Sequence, residues 1–88
     1  MMNVDSWPVE VSLREQDSET RAEARLTRGG TGVVGHGLAR RNPDDREVTQ
    51  IGEEIAAARA LSDLAHQLLG VAADHIEGMT HEHAHLHM

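Results

Sequence analysis

The chain contains no cysteine, no lysine, no phenylalanine and no tyrosine, and Trp7 is its only aromatic residue. The missing cysteine excludes disulfides, the usual support of a small domain with little core. The missing aromatics exclude single-strand nucleic-acid reading by base stacking. No apolar run approaches the roughly 20 residues of a membrane span. Residues 1–10 show neither a basic stretch nor an apolar stretch of secretory type. The expectation is a cytoplasmic protein without membrane association.

At 88 residues there is room for one domain. A chain of this size buries only about 60–65% of the surface it exposes when unfolded, so its stability is expected to be small. With no disulfide to help, self-association into a homodimer is the expected remedy.

The net charge is −7, and it is unevenly placed. Residues 1–43 carry six acids and six arginines, whereas residues 44–88 carry nine acids against Arg46 and Arg59. A phosphate backbone would be repelled by the second half. Any contact with RNA must use the first, where Arg14, Arg21, Arg25, Arg28 and Arg40 mark the candidate partner surface, with Arg41 beside them. The competing explanation is ion pairing on a solvated sheet face.

Three stretches alternate with period two. In residues 7–15, Trp7, Val9, Val11 and Leu13 point one way while Glu10, Ser12 and Arg14 point the other, and Pro8 suits a strand start or edge. In residues 20–28, Ala22, Ala24 and Leu26 face in. The polar residues 15–19 separate these two strands, and Gly29-Gly30-Thr31-Gly32 closes the second. Residues 33–41 form the third. There Val34, His36 and Leu38 are expected to face the core, because the opposite register would place glycines under a close-packed helix.

Asn42-Pro43-Asp44-Asp45 reads as a turn. A helix begins near Thr49, a hydroxyl cap, with Glu53 and Glu54 suiting its positive first turn. Ile51, Ile55, Ala58, Leu61, Ala65, Leu68, Leu69 and Ala72 step by three or four and form its apolar face. Gly70 is expected to end or kink it, leaving residues 71–79 as a short second helix. The predicted fold class is α+β, a three-stranded antiparallel sheet followed by a long amphipathic helix and a short C-terminal one. Residues 1–80 make the domain, and residues 81–88 are a histidine-rich tail.

Chemistry-bearing groups are few. His81, His83, His85 and His87 carry imidazoles that bind zinc, copper or nickel, although a terminal segment supplies little fixed geometry. Ser62, Asp63 and His66 lie at i, i+1 and i+4 of a helix, so Asp63 faces away from the other two. The glycine-rich residues 29–37 lack the Gly-Lys-Ser/Thr ending of a phosphate loop. His36 within a strand reads as a packed or partly exposed residue. No cofactor and no small-molecule substrate are implied, and no acid, base and nucleophile converge, so an enzyme is not expected.

Several stretches together resemble a small actinobacterial family of domains of unknown function. They are Thr20-Arg21-Ala22-Glu23-Ala24-Arg25-Leu26, Gly37-Leu38-Ala39-Arg40-Arg41-Asn42-Pro43, Ile51-Gly52-Glu53-Glu54-Ile55-Ala56, Ala58-Arg59-Ala60-Leu61-Ser62-Asp63-Leu64-Ala65 and Asp74-His75-Ile76-Glu77. Members occur in streptomycetes and in mycobacteria, including the dormancy (hypoxia) regulon. The resemblance implies a fold similar to double-stranded-RNA-binding domains without the leading helix. It also implies a likeness to ribosome hibernation factors. The function it implies is non-enzymatic binding under stress, at the ribosome. The alternatives from the residues themselves are a homodimeric protein-interaction module and weak metal binding by the tail.

Overall fold

The structure, a computed structural model, describes residues 3–40 and 49–80. Three strands and one helix follow in order: β1 (Val9–Gln16), β2 (Glu19–Arg28), β3 (Thr31–Arg40) and α1 (Thr49–Thr80). The sheet is antiparallel throughout, in the order β1-β2-β3.

Both hairpins have two-residue turns. Asp17 opens the first with φ 56°, a left-handed conformation that aspartate tolerates better than most residues. The second is Gly29-Gly30, with φ 54° and 81°. Two consecutive positive φ values match the right-handed twist of the flanking strands, and glycine adopts them without steric cost. Thr31 and Gly32, expected in the turn, already belong to β3.

The turns fix the register. Val11 lies opposite Ala24, and Ala24 opposite Gly35; Leu13, Ala22 and Gly37 make the next row. One face of the sheet therefore carries Val9, Val11, Leu13, Thr20, Ala22, Ala24, Leu26, Val33, Gly35, Gly37 and Ala39, and α1 packs on it.

This corrects the expectation for β3. Val33, Gly35, Gly37 and Ala39 face the helix, while His36 is exposed on the other side. The glycines are the reason. A Cβ on Gly35 would lie well inside van der Waals contact of the Leu64 amide nitrogen and the Ala60 carbonyl oxygen. One on Gly37 would meet the Ala56 carbonyl oxygen and the Ala60 nitrogen. The helix backbone rests directly on the strand backbone, which only glycine permits.

The helix answers with its own small residues. Gly52, Ala56, Ala60, Leu64 and Leu68 recur every four residues, so they form one row along the helix. Ala56, Ala60 and Leu64 are buried, and Gly52 abuts Thr20. The core is accordingly made of small pieces: Ala22, Ala24, Leu26, Ala39, Ala56, Ala60 and Leu64, with Val11, Val33 and Leu68 at its margin.

The face expected to dock is a different one. Ile51, Ile55 and Leu61 remain 52%, 40% and 43% exposed. At 100° per residue these positions lie on the side of α1 away from the sheet or on its flank. Apart from Leu64, the contact over Gly35 and Gly37 is lined by small residues and leaves no place for these three.

Two hydrogen bonds fasten α1 to the free edge of β3. Asp63 Oδ2 accepts from the His36 amide at 2.8 Å, and Arg59 Nη1 donates to the Leu38 carbonyl at 2.6 Å. They satisfy backbone groups that an edge strand otherwise leaves to solvent.

The helix is a single element of 32 residues. It runs unbroken through Gly70, so residues 71–79 continue it and do not form a separate helix. One interior glycine costs roughly 1 kcal/mol relative to alanine, too little to break so long a helix. Glu53 and Glu54 fall beyond the first turn, where the helix dipole has little effect. The turn expected at residues 42–45 and the tail lie outside the described residues.

Glycine substitutions separate contact from propensity. Gly35→Ala and Gly37→Ala are each expected to destabilise by about 3 kcal/mol or more, because backbone rather than a movable side chain must give way. Gly70, with nothing within 4 Å of a built Cβ, should gain about 0.5–1 kcal/mol on change to alanine. Urea unfolding followed by circular dichroism checks all three, and equal effects at Gly35 and Gly70 would contradict the packing described.

Candidate functional site

Alternation assigns the opposite sheet face to Glu10, Ser12, Arg14 and Gln16 of β1. It adds Glu19, Arg21, Glu23, Arg25 and Thr27 of β2, with Val34, His36, Leu38 and Arg40 of β3. No described element covers this face. Four of the five candidate arginines therefore share it: Arg14, Arg21, Arg25 and Arg40.

Arg28 does not. Its parity places it on the helix side of the sheet, where its guanidinium lies 4.1 Å from the centroid of the Trp7 ring. That cation–π contact gives the only aromatic residue a partner. Arg41 lies outside the described residues.

The open face is electrically divided. Around Arg25 the charges balance: it pairs with Glu23 Oε1 at 2.6 Å, and Glu10 stands opposite it on β1. The Arg25 hydrogen bond holds the Glu23 carboxyl below its ordinary value, with the charges of Arg25, His36 and Arg14 adding to the effect. Glu23 in turn raises Arg25.

The other end is cationic. Arg14 and Arg21 stand directly opposite each other on β1 and β2. Like charges in that position destabilise a sheet. Glu19 is shared, with Oε2 3.3 Å from Arg21 and Oε1 3.1 Å from Arg40. Two guanidiniums thus share one carboxylate, and Arg14 has no ion pair among the described residues. The side chains are well exposed, Arg21 at 65% and Arg40 at 72%. A shallow depression lined by Arg21, His36, Gly37 and Leu38 adjoins them.

The other sequence candidates do not assemble. Asp63 turns to β3, whereas the His66 ring contacts the Ser62 carbonyl at 3.0 Å, so Ser62, Asp63 and His66 do not converge. His81, His83, His85 and His87 lie outside the described residues. Among the described residues, no three His, Asp or Glu side chains come together as metal ligands, and no helix is long and apolar enough to cross a membrane. Sequence reasoning located the arginines but missed their polarity. The signal was the hairpin register, since a two-residue turn at Asp17-Ser18 sets Arg14 against Arg21.

Known proteins share this sequence and fold. Residues 5–85 match the family described as Rv2632c-like. The chain is 51% identical over 74 residues to the uncharacterized protein Rv2632c of Mycobacterium tuberculosis (strain H37Rv), covering 84% of this chain and 80% of that protein. It is 49% identical over 80 residues to the uncharacterized protein Mb1767 of Mycobacterium bovis, covering 91% and 85%. The crystal structure of Rv2632c superposes with a TM-score of 0.84 at 47% identity, over 92% of this chain and 96% of the other.

The Glu23–Arg25 pair has a measurable signature. Because the folded value of Glu23 is depressed, the pair's contribution is present above the ordinary glutamate value and is lost as pH falls through the folded one. An NMR titration of the Glu23 carboxyl should show a midpoint below the ordinary range. In Arg25→Ala that midpoint should move upward, and an unmoved midpoint would remove Arg25 as the cause.

Proposed function

Since the chain belongs to the Rv2632c-like family, we propose that it is a non-enzymatic binding protein of the stress or dormancy response, acting at the ribosome in the manner of hibernation factors. The observation that carries this reading is the cationic end of the open sheet face. Arg14 and Arg21 oppose each other at a cost that a bound anion would offset. Guanidinium groups are suited to phosphate oxygens through paired hydrogen bonds. A flat cationic surface without aromatics fits recognition of a structured RNA backbone by shape rather than reading of bases.

The net charge of −7 weighs on the orientation of docking. The acids Glu53, Glu54, Asp63, Asp74 and Glu77 belong to α1, on the other side of the sheet. Approach along the sheet face keeps them away from a phosphate backbone, and approach along the helix does not. The dormancy and hibernation elements rest on the family resemblance, which is analogy at the level of fold.

The chain should co-sediment with ribosomes from starved or hypoxic cells at low salt and dissociate as salt rises. Arg14→Gln with Arg21→Gln should weaken that association by about tenfold or more while leaving the fold intact. Absence from ribosomal fractions at low salt would overturn the reading.

A further inference from the structure

On the open sheet face, backbone lies bare between two rows of side chains. One row is Arg14, Arg21 and Leu38, and the next is Ser12, Glu23 and His36. Between them Ala22 points to the helix and Gly37 has no side chain, so their backbone floors a depression of about 220 Å³ with Arg21, His36 and Leu38 around it.

The carboxylates nearby are engaged elsewhere. Glu23, directly across from His36, is drawn to Arg25 at 2.6 Å. Glu19 takes one nitrogen of Arg21 and one of Arg40, which leaves most of the five N–H donors of each guanidinium. Arg14 stands opposite Arg21.

We propose that this depression seats one phosphodiester of an RNA backbone, held by Arg14, Arg21 and the imidazole of His36, and that the site binds more tightly when His36 is protonated. The inference rests on the reading of the open face as an RNA surface. It adds to that reading the seat of one phosphate and a histidine that regulates it.

The small charge of the face makes the imidazole matter. Arg14, Arg21, Arg25 and Arg40 stand against Glu10, Glu19 and Glu23, so the face carries one net positive charge with His36 neutral and two with it protonated. Imidazole is the side chain whose charge changes between about pH 5 and 8. A proton there and a bound anion favour each other reciprocally.

The surroundings of His36 fit this role. On β2, Glu23 faces it, with Arg21 and Arg25 at the diagonals. On β1, Ser12 lies beyond Glu23, between Glu10 and Arg14. Along β3, Val34 and Leu38 flank it and Arg40 is one step further. From α1, Asp63 and Arg59 reach the edge of β3, but both bond backbone groups there. A protonated His36 therefore faces one paired carboxylate among arginines, and a phosphate in the depression relieves the repulsion.

Exposure selects the polymer over a free ion. Arg21 and Arg40 are 65% and 72% exposed, where water and salt screen a single contact. A polyanion adds contacts from neighbouring phosphates, with Arg40 and Arg25 on either side of the depression.

Anisotropy of a labelled short RNA duplex with the full chain, at about pH 5.5 and pH 7.5 in equal salt, tests the site. Other histidines gain charge as well, so the readout is the difference between wild type and His36→Gln, which keeps the amide that bonds Asp63. At the lower pH, wild type should bind about fivefold more tightly than the variant, with a salt slope steeper by about 0.9. At the higher pH the two should agree. Arg14→Gln should weaken binding at both, and RNA should shift the amide signals of Arg21, His36, Gly37 and Leu38. RNA bound with the same pH response in His36→Gln, or with shifts confined to other elements, overturns this site and leaves the RNA surface standing. No binding at either pH overturns both. Saturation by inorganic phosphate in place of RNA overturns the choice of ligand.

Discussion

The contact of α1 with Gly35 and Gly37 determines most of what the molecule is. It brings helix backbone onto strand backbone, which restricts the helix row to Gly52, Ala56, Ala60 and Leu64. A contact built from such residues buries little area per residue, so dispersion between closely spaced backbones takes a larger share than in cores of large side chains. No large side chain is completely buried anywhere in the described residues. The same constraint turns Ile51, Ile55 and Leu61 outward, because no room is left for them beneath the helix.

The strands and hairpins were legible from the sequence because alternation and turn chemistry agreed. Trp7 to Leu13 and Ala22 to Leu26 each presented one apolar parity only. In β3 both parities are apolar, and the expectation that glycines avoid a close-packed helix points to the wrong one, since here the close packing is what requires them. The deciding signal was relational: two glycines two apart in a strand match a helix row of glycine and alanine four apart. Neither pattern is informative without the other. On the helix, large apolar residues stepping by three or four point to Ile51, Ile55 and Leu61, whereas the face that docks is the row of small ones. Gly70 does not break the helix, because tertiary anchoring upstream carries it through one weak position.

The arginines were legible as a group and not as an arrangement. Parity alone gathers Arg14, Arg21, Arg25 and Arg40 on one face and sets Arg28 apart. What divides the face into a balanced end and a cationic end is the cross-strand register, which depends on a turn of only two residues. A turn longer by one residue would have exchanged the faces of every later side chain.

The clasp formed by Arg59 and Asp63 bears on how the molecule avoids fibril growth. A three-stranded sheet has two borders, and an open polymer of sheets needs both of them free. Here one border is occupied by side chains of the helix. Strand addition at β1 would end with a pair, since the new outer border of each copy is already closed. The bonds that dock the helix therefore also act as a chain terminator, and their loss would expose a template for cross-β growth.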